Sequence, residues 1–340
     1  MAVQASSEVE VAAPARAQGR RIVAIDVARG VALVAMTVYH FSWDLSFFGY
    51  VDPALVNARP WQLFARSIAT SFLLLVGVSL VLAHGRGVRW RGFGVRLAQV
   101  AAGAAAISVA TWFFVPGGFI FFGILHAIAL FSMLALPFLR LAWWATAAVA
   151  LLVWIVGNAV ALPLFDATPF WWLGLAETPP RSNDYVPLFP FFAAVLGGVA
   201  LARLAEERLW FERWRAAAFP PTLERPLAFV GRHSLLYYLL HQPVLFALIG
   251  AFAFATGGPD RTAAFRELSG AQCRAVRSAA FCDAYLACSF ERLQAEGLLK
   301  ATARNALSAD ERPRVDGIVA ACARASARSA PRSAPSEPRP

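Results

Sequence analysis

Ile22-Val23-Ala24-Ile25-Asp26-Val27-Ala28-Arg29-Gly30-Val31-Ala32-Leu33-Val34-Ala35-Met36-Thr37-Val38-Tyr39-His40-Phe41-Ser42-Trp43-Asp44-Leu45 is the stretch whose reading decides the fold. It is long enough to cross a bilayer, which takes about 20 apolar residues. Yet it holds Asp26, Arg29, His40 and Asp44. On a helix that turns about 100° per residue, His40 lies about 20° around from Arg29 and about 40° from Asp26 and Asp44. The four make one polar stripe on an otherwise apolar helix. Ionisable groups inside a span are costly and mark function by default. The plainer reading is that Asp26 and Arg29, three apart, neutralise each other near a membrane surface. Arg29-Gly30 also leaves room for close approach by a ligand or a backbone.

The rest of the chain agrees with a membrane protein. Of 340 residues, 59% are hydrophobic and 15% charged, and the mean hydropathy is +0.56. A soluble domain is about half apolar and a quarter charged, so a single water-soluble globule is excluded. Seven apolar runs fall at about 22–45, 61–83, 93–115, 118–139, 141–163, 185–203 and 227–256. The expected fold class is all-α: a polytopic membrane helix bundle of about seven transmembrane helices with a small helical soluble C-terminal tail. Its domains are a disordered cytoplasmic segment at 1–20, a transmembrane domain at 21–256, and a soluble Cys-containing tail at 257–340, partly disordered. No cleavable signal peptide is evident, because Asp26 and Arg29 interrupt the first apolar run.

The formal charge is +10, carried almost wholly by Arg. The arginines cluster in short turns, so they read as topology signals rather than as a nucleic-acid surface. Arg16, Arg20, Arg21, Arg86, Arg89, Arg91, Arg96, Arg140, Arg203, Arg208, Arg213, Arg215 and Arg225 flank alternate turns, against Arg59 and Arg181 on the other side. That asymmetry puts the N-terminus in the cytoplasm. The Arg- and Ala-rich, Lys-poor composition looks like that of a GC-rich bacterial genome, and the expected location is then the bacterial inner membrane. Seven spans then put the tail in the periplasm. All four cysteines, Cys273, Cys282, Cys288 and Cys322, lie there. Their spacing is not a zinc pattern. In an oxidising compartment they allow two disulfides, with three possible pairings and a preference for links between helices.

Depth sorts the polar residues into two layers. Asp26, Arg29, Arg232 and the Arg86–Arg91 turn form an inner basic layer. His40, His126 and His241 fall in an outer layer. A lone membrane histidine commonly bonds a neighbouring helix as packing glue, and that reading stands beside the functional one for His126 and His241. His84 begins a Gly/Arg turn and reads as interfacial. No phosphate-binding glycine loop, dinucleotide fingerprint or H-E-x-x-H zinc motif is present.

Two segments carry a family resemblance. Ile25-Asp26-Val27-Ala28-Arg29-Gly30-Val31-Ala32-Leu33, followed by Met36 and His40, resembles the opening helix of the heparan-α-glucosaminide N-acetyltransferase-like membrane proteins. The related bacterial acyltransferase-3 membrane proteins open similarly. Gly231-Arg232-His233-Ser234 with Leu239-Leu240-His241-Gln242-Pro243-Val244-Leu245 resembles the closing helix of the same group. Phe122-Gly123-Ile124-Leu125-His126-Ala127-Ile128-Ala129 is similar to its uncharacterised bacterial branch. The resemblance spans about residues 20–250. It implies transmembrane acyl transfer, with acetyl-CoA as the acyl donor on the cytoplasmic side and a sugar or glycan acceptor across the membrane. His40 matches the acyltransferase-3 histidine. The animal members carry Asn there and a later catalytic His, for which the stretch after Leu45 has no counterpart.

The two layers suit that chemistry. Arg29 and His40 are about 17 Å apart along the helix, a gap that a long thioester arm bridges. The catalytic candidates are His40, Asp44, His126 and His241, with His40 as general base or acyl carrier and Asp44 orienting it. The donor-binding candidates are Asp26, Arg29, Arg232, Arg86 and Arg89, since arginine forks suit phosphate. On the largest external loop, Trp171, Trp172, Glu177, Arg181, Asn183 and Asp184 are candidates for holding a sugar. The expected partners are membrane lipids, acyl-CoA and the acceptor, with no nucleic acid and no metal. The alternatives are a multi-His haem- or metal-binding redox protein and a transporter with the stripe as an ion path.

Overall fold

A computed structural model describes residues 22–217, 219–304 and 307–329. The expected N-terminal segment 1–20 lies outside the described residues, as do Arg16, Arg20 and Arg21 of the orientation argument. Every regular element among the described residues is helical. In order they are α1 (Val23–Phe47), α2 (Pro53–Asn57), α3 (Arg59–His84), α4 (Trp90–Phe114), α5 (Ile124–Leu134), α6 (Trp143–Ala159), α7 (Leu188–Glu207), α8 (Trp210–Ala216), α9 (Pro221–Arg232), α10 (Ser234–Thr256), α11 (Thr262–Val276), α12 (Ala279–Ala295), α13 (Leu299–Ala303) and α14 (Glu311–Ser329).

Five of these, α1, α3, α4, α7 and α10, are long and apolar enough to cross a membrane. The chain is thus an all-α integral membrane protein. The runs expected at 118–139 and 141–163 hold shorter apolar helices, α5 of 11 residues and α6 of 17. Pro116, Gly117, Gly118 and Gly123 explain the short α5. They keep the chain out of regular helix until Ile124, and a tight helical turn at Pro116–Gly118 is all that forms before it. His126 therefore sits in the first turn of α5, not midway down a span. The overlong run at 227–256 is two helices. His233, at φ −101° and ψ 27°, breaks it between α9 and α10.

The described residues form two units. One comprises residues to Ser42 together with Val56–Phe246. In it α7 packs along both α3 and α6, and Leu73, Phe131, Leu139, Val195, Leu196 and Val199 are fully buried. Inside a bilayer, lipid tails are as apolar as leucine, so helices associate through close packing rather than through water exclusion. Glycine supplies that closeness where α3 meets α7. A Cβ on Gly77 would overlap the Val195 carbonyl oxygen, and one on Gly198 the Leu74 carbonyl oxygen.

The other unit comprises Trp43–Leu55 and the chain from Ala247 onward. Within it, α11 to α14 enclose a small core of Phe290, Leu293, Leu298, Leu299, Val315, Ile318 and Cys322. Ser278 caps α12 by accepting the Phe281 N–H. Disulfides join Cys273 to Cys282 and Cys288 to Cys322, each with the Cα atoms 5.7 Å apart. The first ties α11 to α12 and the second ties α12 to α14, so both are links between helices. So small a core needs staples, and each closure contributes about 2–4 kcal/mol. We expect reductant to make α11–α14 of the detergent-purified chain sensitive to limited proteolysis, with the Cys288→Ala variant sensitive without it. Equal protection in oxidised, reduced and variant protein would show that the core suffices alone.

Candidate functional site

Arg29-Gly30 and Gly231-Arg232 meet in space. A Cβ on Gly30 would overlap the Leu227 carbonyl oxygen, and one on Gly231 the Asp26 carbonyl oxygen. Glycine at both positions lets α1 and α9 cross backbone to backbone. The crossing delivers the residue next to each glycine, Arg29 and Arg232, to one cavity. Seven residues on along α1, Thr37 Oγ1 lies 2.7 Å from the Tyr237 hydroxyl. Three further on, the His40 and His241 rings lie 5.1 Å apart at 58°. From Thr37–Tyr237 to His40–His241 the contacts advance on both helices, so α1 runs parallel to α10 here, whereas along α9 they run the other way, Gly30 meeting Leu227 and Asp26 meeting Gly231.

The cavity has a volume of 370 Å³, within the range of about 300–1,000 Å³ typical of small-molecule sites. Its cationic lining is Arg29, Arg96 and Arg232; Ser79, Ser132, Ser234 and His84 supply neutral polar groups. Arg29 donates to Asp26 Oδ1 at 3.0 Å and to the Ser79 hydroxyl at 2.5 Å. Asp26 is 3% exposed, so this i,i+3 pair is buried on its acidic side. Among the donor-binding candidates, the structure brings Arg29 and Arg232 to the cavity, with Asp26 behind Arg29. Arg86 and Arg89 are not part of the lining. The Arg89 main-chain N–H donates to His84 Nδ1 at 3.3 Å and its side chain to the Ala83 carbonyl, closing the α3–α4 turn. Arg96 takes their place. It is one helical turn after Phe93 and one before Val100, both buried, and that spacing was legible in the sequence.

His40, His126 and His241 differ in what their nitrogens do. His126 Nδ1 accepts the Gly123 N–H at 3.2 Å, and its Nε2 lies 3.2 Å from the Ser108 hydroxyl, which donates to the Ile120 carbonyl. The ring closes the α5 N-terminus and ties it to α4. His241 Nδ1 donates to the Tyr238 carbonyl at 2.7 Å, and its Nε2 is buried with no hydrogen-bond partner among the described residues. His40 touches the Tyr39 and His241 rings, and neither of its nitrogens has a hydrogen-bond partner among the described residues. Asp44, one turn further along α1, is fully buried. Tyr39 stacks on Trp61 at 6.4 Å.

Tyr238 borders both the cavity and the histidine pair. It lines the cavity, and its ring lies 5.6 Å from that of His241. Its hydroxyl donates to Asp184 Oδ2 at 3.3 Å, and the same oxygen accepts the Ile124 N–H at 2.8 Å. Asp184 thus sits at the positive end of α5, where a carboxylate is favoured. Burial pushes its carboxyl above the ordinary range, while the Ile124 N–H and the Tyr238 hydroxyl pull it down. Of the external-loop candidates, Asp184 and Trp171 are engaged internally: the Trp171 indole donates to the Asp166 carbonyl at 2.8 Å. The Tyr185 hydroxyl donates to the Trp171 carbonyl, and burial pushes that phenol up to about 12. Among the described residues no three His, Cys, Asp or Glu side chains group as ligands for one metal ion.

A membrane helix bundle with an arginine-lined cavity next to paired histidines is the class of protein that fold and site define. Residues 21–243 match the family described as heparan-alpha-glucosaminide N-acetyltransferase, catalytic. The chain belongs to this family of membrane acetyltransferases. No curated protein and no solved structure matches it.

Proposed function

We propose that the chain moves an acetyl or other short acyl group from acyl-CoA, bound at the Arg29–Arg96–Arg232 cavity, to a sugar or glycan acceptor at the His40–His241 pair. The observation that carries this reading is Tyr238, one side chain that borders both places. Three guanidiniums suit phosphate oxygens, and the neutral serines and apolar walls suit the pantetheine arm. A ring nitrogen of His40 takes the proton from the acceptor hydroxyl or amine. The acceptor oxygen or nitrogen bonds to the acyl carbon, the carbon–sulfur bond breaks, and CoA leaves as the thiolate. His241 backs His40, and His126 serves the scaffold.

The cytoplasm supplies acyl-CoA, so the cavity faces inward and the N-terminus is cytoplasmic, in a bacterial inner membrane. The two disulfides favour an oxidising compartment for the tail, which supports a periplasmic location. The redox reading is weaker, because the three outer histidines do not converge: His126 spends both nitrogens on the backbone and on Ser108.

The test is turnover by the detergent-purified chain, reading free thiol released from acetyl-CoA with amino sugars and envelope glycans offered as acceptors. Acceptor-dependent thiol release with a matching acetyl mass increment supports the proposal. No release with any acceptor, alongside substrate-gradient-driven uptake in proteoliposomes, would replace it with a transporter.

A further inference from the structure

Asp184 and Tyr238 are used by nothing in the chemistry above, yet they hold the junction between the two layers. Asp184 Oδ2 collects two donors from different elements, the Ile124 N–H at the start of α5 and the Tyr238 hydroxyl on α10. The segment that carries it is pinned on both sides: the Asn183 N–H donates to the Gly118 carbonyl and the Val186 N–H to the Phe122 carbonyl, at 3.1 and 3.0 Å. The carboxylate is therefore a fixed point. Tyr238 is attached to that point by its hydroxyl and to His241 by its carbonyl, which accepts the His241 Nδ1–H. Because Nδ1 carries the proton, the Nε2 lone pair of His241 is the basic one. One residue thus sets a wall of the cavity at one end and the tautomer of the second histidine at the other.

We propose that Asp184 and Tyr238 are positioning residues for the transfer step. The carboxylate indexes the Tyr238 ring, and the ring holds the inner end of the acyl path in register with the histidine pair. The inference rests on the acyl-transfer reading. Displacing groups by about 1 Å from productive geometry costs up to about 100-fold in rate. Tyr238→Phe removes one oxygen and keeps the ring, the helix and the His241 bond. It is expected to lower kcat about 10–100-fold while leaving the KM for the acyl donor within about twofold. Asp184→Asn keeps an oxygen for both the Ile124 N–H and the Tyr238 hydroxyl but makes it a weaker, neutral acceptor, so it is expected to lower kcat in the same direction and by less. The two act through one hydrogen bond, so the double variant should be no slower than the slower single one.

The experiment measures kcat and donor KM for the wild type, both single variants and the double variant, with acetyl-CoA as donor. Thermal unfolding of each detergent-purified protein is followed in parallel. A kcat loss at unchanged KM and unfolding temperature, shared rather than summed in the double variant, supports the inference. Wild-type kcat in Tyr238→Phe overturns it while the acyl-transfer reading survives. Losses that add fully in the double variant also overturn it, since the two residues would then act separately. Absence of any acyl-CoA turnover in the wild type removes the parent reading, and the inference with it.

Discussion

His40→Ala is expected to abolish acyl transfer while leaving the protein folded. Loss of a positioned general base costs about 10²–10⁴-fold in rate. What singles out His40 is the state of its nitrogens. His126 is fully engaged and His241 has given one nitrogen to a carbonyl, but among the described residues His40 makes ring contacts to Tyr39 and His241 and no hydrogen bond. A base needs a nitrogen that the fold has not already claimed. The same bookkeeping separates chemistry from scaffold in a control. His126→Ala strips the bond to the Gly123 N–H and the contact with Ser108, so it is expected to destabilise by about 1–3 kcal/mol. The check is thiol release from acetyl-CoA beside thermal unfolding for both variants. Full turnover in His40→Ala would remove it from the mechanism. A His126→Ala protein as stable as the wild type but inactive would move the base to His126.

Much of this was legible in the sequence, and the part that was not has a physical cause. Helical class, the spanning character of α1, α3, α4, α7 and α10 and the polar stripe of α1 follow from apolar length and from the 100° repeat, which are local properties. The α5 boundary was missed because apolar content outweighed Pro116, Gly117, Gly118 and Gly123 in a window long enough to find spans. The helix break at His233 was missed for the same reason. The Arg29 and Arg232 partnership is legible as an inner basic layer, but only the α1–α9 crossing explains Gly30 and Gly231. The sequence suggests an external-loop role for Asp184, because no local pattern says that its carboxylate turns to the start of α5. Tyr238, three residues before His241, carries no signal of its own in the sequence. Its role depends on two long-range contacts, to Asp184 and to the cavity, which no local pattern encodes.

Arg232→Ala should raise the KM for the acyl donor about 10–100-fold, from the loss of a charge-assisted hydrogen bond worth about 1.5–3 kcal/mol. Arg232 is a cleaner probe than Arg29. Arg29 is bound to Asp26 and Ser79, so its removal also takes a cation from a buried carboxylate, a change that can cost about 3–5 kcal/mol of stability. Among the described residues Arg232 makes no ion pair or side-chain hydrogen bond, and its side chain is exposed where α9 ends. Its loss therefore falls on the ligand and not on the fold. At saturating donor kcat should be nearly unchanged, because the phosphates are held equally in the ground and transition states. Arg232→Lys keeps the charge but loses the planar fork, so it should recover only part of the affinity. Donor binding by wild type should weaken with added salt more steeply than binding by Arg232→Ala, since one screened charge is gone. Unchanged donor affinity in Arg232→Ala would make this arginine a topology signal, as its place at a helix end would allow. The donor phosphates would then have to rest on Arg29 and Arg96 alone.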